Sequence, residues 1–410
     1  MAPRWPWLRP GSAVWTSTRS SSPWSASSNP SLIGKPVIVG GLPGQRGVVT
    51  ASSYEVRALG VRSGMSLKSA YELAPHAVYL PTRHGAYGDY AAQVRRIAEG
   101  YTPLTQVASI DEMFLDFSGC EDLYQRVGDA DPDATIERVV RALTGEIEAR
   151  VGLPASAGIA TSRSVAKVAS GLAKPHGVLL VRAGTELTLL ASLPVRKFPG
   201  IGPVAEQKLH AHGLRTLGEV AAAPSALLRR IFGGWAESIQ RGCRGQGPHA
   251  IGRERPAFQE HDPDGCDVGS ISNERTFRED VRDPVSIDAM LCSLCERVCW
   301  RARSRGIKAR TVTLKLRYAD FETLSRSRTI TPTASELELY PVVRELFDRA
   351  RRRRRAIRLL GIALSNLGPY DQQLQLFDDG SLHRAIDGIR ERYGYDALHI
   401  ALTVARNGRR

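Results

Sequence analysis

S-I-D-E-M-F-L-D, Ser109 to Asp116, sets two adjacent acids, Asp111 and Glu112, in an otherwise apolar run. The wider stretch from Val107 to Gly119 alternates apolar and polar residues and closes on Ser-Gly, which predicts a strand ending in a turn. Neighbouring strand residues face opposite sides, so Asp111 and Glu112 cannot both be ordinary solvent-facing charges. A carboxylate turned toward a core is costly unless it is paired or holds a metal. Phosphoryl transfer uses such acids: two divalent ions about 3.5–4 Å apart clamp the attacking and leaving oxygens. Magnesium takes a few carboxylates together with phosphate oxygens. An edge-strand salt bridge is the alternative for a bare Asp-Glu pair.

Moving outward, K-P-V-I-V-G-G (Lys35 to Gly41) predicts a buried strand and a glycine turn. Arg46 to Arg57 reads as a strand leading into a short Ser-capped helix, and Ser63 to Pro75 as a capped amphipathic helix stopped by proline. Further helices are expected over 86–101 and 134–151. Ser156 to Gly177 reads as strand, Ser-rich turn and helix. Alternating strands and helices to this point imply an α/β or α+β sheet domain. Residues 183–248 read as broken helices, 249–267 as a polar linker and 268–367 as a new α+β unit, with strands at Thr311 to Tyr318 and Ala356 to Ser365.

The chain has 56 Lys and Arg against 42 Asp and Glu, a net charge of +14, which suits a polyanion partner. No uninterrupted apolar stretch is long enough to cross a bilayer, so nucleic acid is preferred over membrane. Six cysteines in 410 residues do not make a disulfide scaffold, and the chain reads as reduced and cytoplasmic. Cys292, Cys295 and Cys299 share one face of a helix; core packing is preferred over a metal site. Basic residues are dense from Arg301 to Arg328, including Arg310, Lys315 and Arg317, and on an exposed sheet they would track phosphates without reading sequence. The run Arg351 to Arg355 is either a second such patch or a solvated face.

The string at Ser109 to Asp116 resembles the S-[IL]-D-E-x-[FY]-L-D signature of the Y-family DNA polymerases of the DNA polymerase IV type, and three further stretches agree in order. R-G-V-V-T-A-S-S-Y-E-V-R-A-L-G-V-R-S-G-M resembles the fingers motif, whose Tyr and Arg hold the incoming triphosphate; these are Tyr54 and Arg57. G-I-A-T-S-R-S-V-A-K-V-A-S-G-L-A-K-P-H-G resembles the palm motif whose first Lys contacts the triphosphate, Lys167. S-N-E-R-T-F, Ser272 to Phe277, resembles the start of the little finger. Phe198 to Leu209 resembles a helix-hairpin-helix, in which Gly200 and Gly202 bring backbone amides to a DNA phosphate and Lys208 adds charge. Q-L-Q-L-F resembles the bacterial sliding-clamp peptide, with Gln373, Leu374, Leu376 and Phe377 as contacts.

The resemblance implies an α+β multidomain fold: a right-hand polymerase of palm, fingers and thumb, plus a little-finger domain. It places the fingers at 29–82, the palm at 83–182, the thumb at 183–249, a linker at 250–267, the little finger at 268–367 and a clamp-binding tail at 368–410. It implies low-fidelity synthesis past damaged bases by a monomer bound to primer-template DNA, a dNTP and a sliding clamp. Two Mg2+ ions would be held by Asp111 and Glu112, the catalytic acids. A catalytically impaired DNA- and clamp-binding adaptor is the alternative.

Met1 to Ser28 departs from the family. The family's third metal acid and its ribose-excluding Phe lie in an N-terminal strand of pattern D-x-D-A-F-F-x-S-V-E, whereas these residues contain no Asp or Glu and show no strand period. With permitted codons, Trp15 to Ser25 read from the third base of the Trp15 codon gives D-V-D-A-F-F-V-S-V-E. This predicts a frameshift near codon 28, real or from sequencing error, and a palm sheet that loses its central strand and exposes edges.

Overall fold

A computed structural model of the protein describes residues 12–17, 30–32, 34–247, 269–352, 355–369 and 381–404. The chain divides into two compact units, Met1–Glu254 and Arg255–Arg410. The strands of the first, in chain order, are β1 (Ser12–Ser17), β2 (Val37–Val39), β3 (Ala51–Ser52), β4 (Val78–Leu80), β5 (Leu104–Ser109), β6 (Glu112–Asp116), β7 (Ala155–Ala160) and β8 (Val178–Leu180). They form a three-stranded sheet ordered β3-β2-β4 and a five-stranded sheet ordered β5-β6-β1-β7-β8.

Strand alternation gives the larger sheet two unlike faces. Met113, Leu115, Phe117, Ala155, Ala157 and Ile159 meet the helices His84–Glu99 and Pro132–Val151 in one core. The other face carries Glu112, Phe114 and Asp116 on β6 and Gly158 on β7, where the Arg163–Leu172 helix packs. A methyl on Gly158 would lie 2.1 Å from the Ala166 carbonyl oxygen and 2.3 Å from the Ser170 amide nitrogen, so the helix rests directly on the strand backbone. Phe114 and Val165 join a further core with Val195, Phe198, Leu209 and Leu217, which ties the helical residues 186–243 to this face.

Two expectations are corrected. The N-terminal segment does supply the central strand: β1 pairs antiparallel with β6 (Thr16 opposite Glu112) and with β7 (Thr16 opposite Ser156). Strand pairing is made by backbone N–H and C=O groups, and S-A-V-W-T-S contains no proline and three β-formers in a row. The acid pair, in turn, does not sit within one strand. β5 and β6 are a hairpin, Ile110 and Asp111 form its turn, and only Glu112 opens β6.

In the second unit, β9 (Ser270–Val281), β10 (Lys308–Tyr318), β11 (Thr323–Thr333) and β12 (Ile357–Gly368) form an antiparallel sheet ordered β11-β10-β12-β9. Helices Pro284–Arg303 and Glu336–Ala350 cover one face, and Cys292, Cys295 and Cys299 are buried within this layer. The Ser381–Tyr393 helix docks through buried charge. Arg390, 1% exposed at its side chain, pairs with fully buried Glu296 at 2.8 Å. Glu296 also accepts from the Ile400 amide and the Thr403 hydroxyl. Arg303 links Glu336 and Asp387 in the same layer.

The basic run is also corrected, because it does not share one face. Arg303 is drawn into that buried network, and Arg328 pairs with Glu345 on the helix side. Arg352 and Arg355 pair with Glu322, and Arg355 also with Asp320. Lys315 and Arg317 alternate with buried Val312, Leu314, Leu316 and Tyr318, which puts them on the sheet's open face; Arg310 is exposed at a β-bulge. The linker at 250–267 and the Gln373 to Phe377 motif lie outside the described residues.

Candidate active site

The β5–β6 hairpin fixes the acids. Ser109, the last residue of β5, donates its hydroxyl to the Asp111 carboxylate across the turn. Glu112 is 8% exposed and Asp116 7%. Asp116 accepts from the Ser118 amide at 2.9 Å and from the Ser118 hydroxyl, so its carboxylate organises the turn after β6. Glu112 has a different partner: the ammonium of Lys167 forms an ion pair with its Oε2. Lys167 reaches it because the Arg163–Leu172 helix lies against Gly158, two strands away from Glu112 with β1 between.

Arg163 stands one helical turn before Lys167, on the same side of the helix. Its guanidinium lies 4.2 Å from the centroid of the Phe114 ring, and half-burial pushes its pKa below the ordinary guanidinium value. The sequence reading missed this residue, although the R-S-V-A-K spacing carries the signal. Beside it opens a groove of about 760 Å³ lined by Phe114, Arg163, Lys167, Gly200, Trp235 and Arg241. Trp235 is 73% exposed, unusual for the side chain with the largest apolar surface, and it too was missed.

The expected nucleotide contacts fall into two groups. Lys167 meets Glu112 as described. Tyr54 and Arg57 sit on the Tyr54–Ala58 helix beside the three-stranded sheet. Arg57 donates its Nε–H to the Ser52 carbonyl at 2.9 Å, and its guanidinium lies 5.6 Å from the Tyr54 ring centroid. That bond orients the guanidinium fork, and Tyr54 is 48% exposed beside it. In the helical region, Gly200 takes φ +93°, a left-handed conformation that favours glycine, and Gly202 caps the Pro203–Ala211 helix without a side-chain bond. Lys208 is exposed on that helix.

For divalent ions the described residues offer two protein carboxylates, Asp111 and Glu112, so the remaining ligands would be phosphate oxygens or water. Among the described residues no group of three or more His, Cys, Asp or Glu side chains could hold a metal ion. Asp111 and Glu112 are two carboxylates, Lys167 engages one of them, and Met1 to Ser28 contains no acid to add. No helix among the described residues is long and apolar enough to cross a membrane.

Comparison with known proteins gives the family and the fold. The impB/mucB/samB family profile matches residues 22–171, the family's C-terminal domain matches 268–376 and its HHH motif matches 184–214. A DNA polymerase IV of Dehalococcoides mccartyi is 33% identical over 380 residues, covering 91% of this chain and 92% of the relative. A DNA polymerase IV of Desulfatibacillum aliphaticivorans is 36% identical over 386 residues, covering 92% of each. Among solved structures, a Y-family DNA polymerase chimera built on Dbh superposes with a TM-score of 0.72 at 23% identity, covering 87% of this chain and 98% of the other. DinB from Sulfolobus solfataricus gives 0.56 at 22%, with the same coverage. The fold is thus the right-hand Y-family fold with its extra C-terminal domain. The chain belongs to the impB/mucB/samB family, the Y-family DNA-directed DNA polymerases of the DNA polymerase IV type.

Proposed function

We propose that this chain serves template-directed DNA synthesis past damaged bases. A primer 3′-hydroxyl would attack the α-phosphate of a dNTP, forming a phosphodiester and releasing pyrophosphate. The observation that carries the reading is the Lys167–Glu112 pair beside the Asp111 turn, with Lys167 lining a groove together with Arg163 and Arg241. Fixed cations there suit a triphosphate, because charge developing on phosphate oxygens is best met by preorganised partners. Arg57, oriented by Ser52, and the hydroxyl of Tyr54 would hold the same group. Gly200, Gly202 and Lys208 would meet the DNA backbone, and so would Arg310 and Arg317. Gln373, Leu374, Leu376 and Phe377 would engage the sliding clamp, with the chain acting as a monomer.

A second reading is favoured by one observation. The strand position facing Glu112 is Thr16, and no acid lies anywhere in Met1 to Ser28. On this reading the chain is an adaptor that binds DNA and clamp but extends primers poorly. The out-of-frame reading of Trp15 to Ser25 puts its first Asp on the Trp15–Thr16 junction, at the point of the strand that faces Glu112. The family match also begins only at residue 22. Sequencing the start of the gene tests this directly: codons incompatible with D-V-D-A-F-F would remove the frameshift explanation.

Primer extension by the full chain, on undamaged and abasic templates, separates the two readings, with Asp111→Ala as background. Extension above background, continuing past the abasic site, supports the polymerase reading. DNA binding without extension assigns the chain to the adaptor class.

A further inference from the structure

One row of the second unit's sheet joins three strands on the open face. Glu274 of β9 lies opposite Gly361 of β12, and Gly361 lies opposite Lys315 of β10. A methyl on Gly361 would sit 2.7 Å from Cγ of Glu274. The absent side chain therefore leaves a trough through which Glu274 reaches across β12. Both of its carboxylate oxygens accept from the Lys315 ammonium, at 2.8 and 2.9 Å. One neighbouring row on this face is Ser272, Ala363, Thr313 and Ser327; the other is Thr276, Leu359, Arg317 and Thr323. Across these rows Glu274 is the one carboxylate, set among hydroxyls and two cations.

We propose that Glu274 masks Lys315 and so determines where a phosphate backbone runs on this face. The inference rests on the reading that the face meets DNA. A bidentate carboxylate cancels the ammonium's field and itself repels phosphate. The backbone is therefore admitted past Arg317 and the hydroxyls of β10 and β11, and turned away from the β9–β12 side. The side chains of Lys315 and Glu274 are 33% and 40% exposed, so the mask is weak enough for one substitution to lift.

The test is equilibrium binding of the full chain to a primer-template duplex across a salt series. Glu274→Gln keeps the shape and removes the charge. Its binding should tighten about three- to five-fold at low salt, the range set by an exposed pair. The slope of log K against log salt should steepen by about 0.9, the increment for one added phosphate contact. Glu274→Gln combined with Lys315→Met should lose both gains, which shows that the gain acts through Lys315. Arg317→Met should weaken binding and flatten the slope by about 0.9. An unchanged slope or weaker binding in Glu274→Gln, beside a weakened Arg317→Met, overturns the mask and leaves the DNA face standing. No effect from either substitution overturns the DNA face itself, and the mask with it.

Discussion

Replacing Lys167 by methionine tests the centre of the site. The substitution keeps the length and apolar contacts of the side chain and deletes the ammonium that faces Glu112. Removing one partner of a fully buried ion pair costs about 3–5 kcal/mol, because the other charge stays behind uncompensated. Here the Glu112 side chain retains 10% exposure and that of Lys167 28%, so water reaches the vacated position. The expected loss is about 2–3 kcal/mol, between the buried range and the under-1 kcal/mol typical of exposed pairs. Because the chain has two units, the readout must be local. Urea-dependent hydrogen exchange at the amides of β6, β7 and the Arg163–Leu172 helix reports this sheet separately from the second unit. Combining Lys167→Met with Glu112→Gln should restore most of the loss, since no bare carboxylate then remains. A single-substitution loss below about 0.5 kcal/mol, with no recovery in the double, would show that the two residues are not paired in solution.

Three further outcomes are expected. Thr16→Asp should create a divalent-ion site with Asp111 and Glu112, read as a Mn2+-dependent rise in melting temperature; Trp15→Asp should not, because a one-residue step crosses to the other face of the strand. Asp129 is held well below the usual carboxylate range, chiefly by Arg138 and then by the Arg126 amide, so its contribution is present above the unfolded value of about 3.9 and fades as pH falls below it. Asp129→Asn should accordingly melt lower than the parent at pH 7, with the difference closing on acidification, followed by calorimetry. Burial pushes the Cys243 thiol up to about 12, so Cys243 should resist iodoacetamide at pH 8 until the chain is unfolded, as peptide mass mapping would show.

Much of this site was legible because its motifs are contiguous. Tyr54 with Arg57, Asp111 with Glu112, and Gly200 with Gly202 are each at most three residues apart, so sequence spacing alone sets their proximity. What escaped was decided by partners distant in sequence. The alternation through Val107 to Gly119 conceals a hairpin, because Ile110 and Asp111 form a two-residue turn with no glycine or proline to mark it. Glu296 and Arg390 are 94 residues apart and nothing local announces their pairing. Arg301 to Arg328 reads as one basic patch, yet helix, turn and strand alternation send its members to different faces. The strand at Ser12 to Ser17 was missed for another reason: three β-formers are too short a run to mark a strand, and its place comes from two neighbours each presenting an unpaired backbone edge.

That central strand makes foldability and chemistry separable properties of the same gene. β1 bridges two halves of a sheet through main-chain groups that every non-proline residue possesses, so its letters can be rewritten wholesale while the ladder survives. An altered β1 can therefore leave the sheet assembled while changing what faces Glu112. Primer extension and thermal melting on one sample would then part company, the first failing while the second holds.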